Sequence, residues 1–245
     1  RTDLSVSYID HNIIQTDFRN ADDHRFLQSA AARFGAVFSP PGNGISHHVH
    51  RERFGRPGLS LLGSDSHTTT GGCLGMLAMG AGGLEIAMAM AGEPYRILTP
   101  QVWGIRVSGR LPAWVSGKDL ILELLRRFTA KGATGKVLEF FGPGLAALEL
   151  PDRATIANMS VDMGATACVF PSDRVTRDWL ALNGRAADWV ELAAEDGARY
   201  DAVTEIDLGS LVPLVACPSN PDKVKTAEEL SDVPGLRLSF SPPIA

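Results

Sequence analysis

Four short segments of this 245-residue chain put acid, imidazole, hydroxyl and amide groups where an apolar run meets a turn. They are Asp10-His11, the group His47-His48-x-His50, the run Asp65-Ser66-His67, and Asn158 with Asp162. An Asp beside a His holds one imidazole tautomer and raises its basicity, which suits it to moving protons near neutral pH. Asn158 and Asp162 are four residues apart, and on a helix that spacing presents an amide and a carboxylate on one face. Asp65, Ser66 and His67 follow an apolar run that halts at Gly63. Strand ends of this kind are where ligands of α/β sheets bind.

Each segment also has a plainer reading. An Asp at a strand end is often a helix N-cap. His47, His48 and His50 alternate along what reads as an extended segment, so one face of the trio turns inward. A buried Asn on a helix is usually a packing residue with its hydrogen bonds met. His47-x-x-His50 has a zinc-like spacing, but no third ligand stands nearby in the sequence. The glycine-rich stretch "GAGGLE" has Glu85 where a dinucleotide loop needs its last glycine, and no P-loop pattern occurs. Gly71 and Gly72 are expected instead to let the backbone pass close to a packed helix or a ligand.

Composition narrows the field. The chain is 44% hydrophobic, enough for one large domain or two small ones. A net charge of -5 leaves no basic footprint for nucleic acid or an anionic membrane. The three cysteines, Cys73, Cys168 and Cys217, have no metal-type spacing, which fits a reducing compartment; a cytoplasmic location is expected. The opening residues are polar and mixed, unlike a secretory signal, and residue 1 is Arg, so the chain is expected to be a piece of a longer one. The one long apolar window, Cys73 to Gly92, holds Glu85 and several glycines and reads as a buried, closely packed helix rather than a membrane span.

Elements that must position these groups alternate between strand and helix, the mark of an α/β chain. A short strand precedes Asp10, and a helix follows it and stops at Gly35. A strand covers Leu59 to Leu62. Gln101 to Leu111 alternates like a half-exposed strand. A boundary near residue 100 divides the chain into 1–100 and 101–230, with 231–245 as a linker or loose end. The clearest helix starts at a capping box, Ser116 with Asp119, carries Leu120, Ile121, Leu124, Leu125 and Phe128 as one stripe, and is expected to stop at Gly132. A further helix carries Asn158 and Asp162, then a strand begins near Ala167. One or two surface helices follow, with Trp179 and Trp189 turned inward.

Taken together, the segments resemble the aconitase family of iron–sulfur hydro-lyases and isomerases. "GSDSHTTTGGCLGMLAMGAGGLEIAMAMAG", "FTAKGATGKVLEFFGPG" and "RATIANMSVDMGATACVFPSD" are similar to long family blocks, and the match runs over nearly the whole chain. The resemblance, closest to the aconitate hydratase branch, implies three-layer α/β/α domains in a partial chain. It implies reversible loss and return of water on a hydroxy di- or tricarboxylate, with a 4Fe–4S cluster whose open iron acts as a Lewis acid. Carried over residue by residue, it makes Asp10 and His11 the pair near the leaving hydroxyl and pairs His47 with Asp65. Asp65 and His67 become members of the acid/base network, Ser66 a carboxylate ligand, and Asn158 a neighbour of the cluster. The expected substrate is citrate or isocitrate through cis-aconitate. The alternatives are a 3-isopropylmalate or homoaconitate hydratase, or a cluster-free relative that binds carboxylates without catalysis.

The sequence departs from the family in two ways. Asp162 stands where the family usually has Glu, which shortens the carboxylate arm by one methylene. The family's cluster-binding cysteine segments are absent, so Cys73, Cys168 and Cys217 are expected to be small core or loop residues. The resemblance also implies a swivelling domain with a catalytic serine and carboxylate-binding arginines, which has no counterpart here. The site is therefore expected to be completed by remaining domains or by a small subunit, and this chain alone to be inactive.

Overall fold

The computed structural model describes residues 2–231. In chain order the elements are β1 (Val6–Tyr8), α1 (Phe18–Phe34), β2 (Val37–Ser39), α2 (Ser46–Arg53), β3 (Ser60–Gly63), β4 (Leu77–Gly80), α3 (Gly83–Ala91) and β5 (Gln101–Ser108). Then come α4 (Gly117–Phe128), β6 (Lys136–Phe141), α5 (Leu150–Met159), β7 (Ala167–Val169), α6 (Arg174–Leu182), β8 (Ala202–Asp207), β9 (Leu214–Ala216), β10 (Val224–Thr226) and α7 (Ala227–Ser231). A 3₁₀ helix, Ser66–Leu74, joins β3 to β4. The expected linker 231–245 lies outside the described residues, apart from Ser231.

Parallel pairing dominates, as an α/β chain requires. The largest sheet has the order β7-β6-β5-β8, with every neighbour parallel. β1 pairs with β2 and β3 with β4, both parallel, while β9 and β10 pair antiparallel. The core packs Trp103, Ile105 and Val107 of β5 and Leu138 and Phe140 of β6 against Leu120, Leu124 and Leu125 of α4. Cys73, Leu74, Met76 and Ala78 join the same cluster, so one core links residues on both sides of position 100.

Local chemistry explains several boundaries. Asp17 caps α1 by accepting from the Arg19 and Asn20 amides, and Gly35 closes it at φ 71°, a left-handed conformation that suits glycine. The capping box at α4 is present, with Asp119 accepting from the Ser116 amide at 2.8 Å.

Four expectations are corrected. The window from Cys73 to Gly92 is not one buried helix: it holds the end of the 3₁₀ helix, strand β4, and α3, whose residues are all at least partly exposed. Gly75, at φ 81°, breaks the chain after Leu74, and the pairing of Leu77–Gly80 with β3 then wins over helix propensity. His47, His48 and His50 lie on helix α2, not on an extended segment, so His47 and His50 share a side one turn apart. Helix α4 ends at Phe128 rather than Gly132; Thr129 takes φ 63°, and Gly132 instead fits tightly against the Phe128 carbonyl. Asn158 and Asp162 do not share one α-helix, because α5 ends at Met159 and Asp162 falls in the 3₁₀ turn Ser160–Met163.

Candidate active site

Strand β1 delivers Asp10. Its Oδ2 accepts the Ser46 amide at 2.6 Å, so the carboxylate sits at the start of α2, a helix with no side-chain cap of its own. Its Oδ1 lies 2.9 Å from His11 Nδ1. Burial opposes ionisation of Asp10, but the bonds from Ser46 and His11 outweigh it and hold the carboxyl below the usual range.

Asp65 is both the plain N-cap and the centre of the site. Its Oδ1 accepts the His67 amide at 2.6 Å, the capping bond that starts the 3₁₀ helix. The same oxygen lies 3.1 Å from His47 Nε2, and Oδ2 lies 3.0 Å from His11 Nε2. One carboxylate thus gathers the first strand, α2 and the turn after β3. An ionised carboxylate only accepts. His11 has a carboxylate oxygen at each ring nitrogen, so the arrangement favours the doubly protonated imidazolium. The hydrogen bond and charge of Asp10, with Asp65 adding to them, raise the His11 pKa. Burial lowers that of His47 despite Asp65, which keeps its ring neutral with Nε2–H toward the acid.

The threonines after His67 fix the rest. Thr68 Oγ1 donates to the Asp65 carbonyl at 2.7 Å and Thr70 Oγ1 to that of His67 at 2.6 Å. Thr69 Oγ1 donates to the Ala157 carbonyl at 2.8 Å, and Asn158 Nδ2 donates to Thr70 Oγ1 at 2.9 Å, which ties α5 to the turn. A Cβ at Gly72 would run into the Cys168 carbonyl, so this glycine is the price of bringing the turn against β7. Ser66 Oγ is 3.2 Å from His67 Nδ1. His67 Nδ1 is 3.6 Å from Asp65 Oδ1, too far for a hydrogen bond.

A cleft of about 1400 Å³ is lined by Asp10, His11, His47, Asp65 and Ser66, with Tyr8 and His50 on its wall. Asp10, His11, His47, Asp65, Ser66 and His67 therefore form one cluster. Asn158 joins it through Thr70. Asp162 stands apart from these hydrogen bonds; burial raises its pKa, with the nearby His67 opposing. Three participants were not singled out in the sequence: Thr70, the Ser46 amide, and Tyr8, whose hydroxyl lies 3.0 Å from His50 Nδ1. Tyr8 carried a signal, since it closes the short strand two residues before Asp10.

The thiols do not fit an iron–sulfur cluster, which needs convergent thiolates. Cys73 and Cys168 are fully buried in the core, and burial pushes the Cys73 thiol up to about 12 and raises Cys168 as well. Cys217 sits beyond β9, elsewhere in the fold. Among the described residues, no group of three or more His, Cys, Asp or Glu is arranged to hold a metal ion.

A family model described as "Aconitase family (aconitate hydratase)" matches residues 1–237. The chain belongs to the aconitase family. It is 39% identical over 220 residues to a probable mitochondrial aconitate hydratase of Caenorhabditis elegans, covering 87% of this chain and 28% of that protein. It is 39% identical over 229 residues to a 3-isopropylmalate dehydratase large subunit of Elusimicrobium minutum, covering 94% of this chain and 55% of that one. With a large subunit 2 of the same name from Archaeoglobus fulgidus the figures are 38% over 237 residues, 97% and 56%. The chain thus spans from about a quarter to just over half the length of these relatives. Among the described residues, no helix is long and apolar enough to cross a membrane.

Proposed function

We infer that the chain contributes the acid/base side of a hydro-lyase site. In this reading the whole protein removes water from a hydroxy di- or tricarboxylate and returns it, with citrate and isocitrate through cis-aconitate as the favoured substrates. The observation that carries the reading is the bridge His11–Asp65–His47, backed by Asp10. A pure carboxylate-binding module has no use for an imidazolium held between two acids beside a neutral imidazole.

The roles follow from the geometry. His11 stores a proton that it delivers to a departing hydroxyl, and Asp10 and Asp65 stabilise that charged form. Neutral His47, oriented by Asp65, takes part in resetting the proton. Ser66, on the wall of the cleft, faces a substrate carboxylate, and His67 and Asp162 complete the acid/base set. The 4Fe–4S cluster that the family implies needs ligands from outside these residues, because Cys73 and Cys168 are buried in the core and Cys217 lies elsewhere, beyond β9. Further domains of the same protein, or a small subunit, complete the site.

A second reading, hydration in the 3-isopropylmalate series, is favoured by the relatives named as large subunits, which match 94% and 97% of the chain. The test is hydration by the whole protein, reconstituted anaerobically with iron and sulfide, of cis-aconitate and of isopropylmaleate side by side. Turnover of the first supports the favoured reading. Turnover of the second alone moves the assignment to the other branch, and turnover of neither by a cluster-loaded protein overturns both.

A further inference from the structure

The loop that carries His11, residues 11–16, is neither helix nor strand, and all of it is exposed. Among the described residues, no backbone–backbone hydrogen bond reaches it. An imidazole on so free a loop would sample many positions, yet the bridge from Asp10 to Asp65 needs one. His24 of α1 supplies the tie. Its Nε2 lies 2.7 Å from the Asn12 carbonyl, and its Nδ1 lies 2.7 Å from Gln15 Nε2. A carbonyl only accepts, so the ring proton sits on Nε2, and Nδ1 accepts from the Gln15 amide. A neutral imidazole has one donor and one acceptor, and here both go to the same loop.

The placement of His24 fits this work. Helix α1 buries His24 and Ala31, seven residues apart and so on one face. His24 is 8% exposed. Packing alone would put an aliphatic side chain at such a position. Asn20, one turn before His24, adds side-chain bonds to Asn12 and Thr16 at 3.0 Å each. His24 and Asn12 line the cleft beside Asp10 and His11.

We propose that His24 is a positioning residue that clamps loop 11–16 to α1 through the Asn12 carbonyl and so keeps His11 between Asp10 and Asp65. This rests on the proton-delivering role inferred for His11. His24 acts through the chain, by fixing the residue next to His11. A shift of about 1 Å at a catalytic acid is enough to lose much of a rate.

Two replacements test it. His24→Gln can put an N–H where Nε2 stood and keep the bond to Asn12, whereas His24→Leu keeps the packing and neither bond. The readout is hydration of cis-aconitate by the whole, cluster-loaded protein. His24→Leu is expected to lower kcat about 10- to 100-fold with KM within about twofold, and His24→Gln to stay within about fivefold of the wild type. Equal losses in the two variants, a loss carried by KM, or a His24→Leu rate within about twofold of the wild type overturns the proposal. If His24→Leu fails to fold, His24→Gln decides: a loss beyond about fivefold overturns the clamp. NMR of the ring nitrogens needs no turnover. In the wild type His24 should carry its proton on Nε2, and a proton on Nδ1 alone overturns the bond to Asn12. In His24→Leu the His11 ring, freed from Asp65, should titrate at lower pH than in the wild type, and an unmoved titration overturns the positioning role. If the wild type hydrates neither cis-aconitate nor isopropylmaleate, the hydro-lyase reading fails, while the two NMR readouts still decide the clamp.

Discussion

His11 Nε2 lies 3.0 Å from Asp65 Oδ2, while the other ring nitrogen lies 2.9 Å from Asp10 Oδ1. An imidazole between two carboxylates keeps its second proton to higher pH than a free ring does, although this one is largely exposed to solvent. The site thus keeps a proton at the mouth of the cleft, where an incoming ligand meets it.

The pH dependence follows with a definite sign. Asp10 and Asp65 raise the His11 pKa above its usual 6.5, so the charged form persists upward from there. A step that uses this proton is fully available at low pH and fades as pH rises through the raised value. Asp10→Asn removes the largest cause and should move that alkaline limb downward. A pH–rate profile of the whole protein, or NMR titration of the His11 ring, checks this; an unmoved limb contradicts it.

Gly72 is where the turn meets β7, against the Cys168 backbone. Gly72→Ala should cost about 2–4 kcal/mol, because the obstacle is a carbonyl rather than a side chain that can swing away. Urea unfolding measures it. Gly35→Ala, with open space around it, should cost only about 1 kcal/mol from its left-handed φ.

Arg153 is fully buried and donates to the Leu145, Leu148 and Pro171 carbonyls and to both oxygens of Asp173. Asp173 also caps α6. Asp173→Ala strands the guanidinium without its counter-charge and should destabilise by about 3–5 kcal/mol in thermal or urea unfolding. A loss under 1 kcal/mol would show that the three carbonyls hold the cation unaided.

The sequence was most readable where chemistry is local. The capping box at Ser116 and Asp119 and the glycine stop of α1 depend on residues a few positions apart, and the structure has both. The glycines of the Cys73–Gly92 window were misread because apolar content alone does not separate a buried helix from a strand followed by an exposed one. The histidines of α2 were misread because alternation over so short a run fits a helix face as well. Of the site, Asp10-His11 and Asp65-Ser66-His67 stood out because acid and imidazole are adjacent in the chain. Thr70 did not, since its two partners come from opposite directions in the sequence and only packing of α5 on the 3₁₀ helix brings them to one hydroxyl.

The most direct test of the central claim replaces the carboxylate that joins His11 and His47. Asn is as good an N-cap as Asp, so Asp65→Asn should leave the 3₁₀ helix and the unfolding free energy within about 0.5 kcal/mol, whereas Asp65→Ala should cost about 1 kcal/mol. Hydration of cis-aconitate by the whole, cluster-loaded protein should fall at least about 100-fold in Asp65→Asn. A rate within about threefold of the wild type, in a protein equally stable, would contradict the assignment of Asp65 as the centre of the acid/base site.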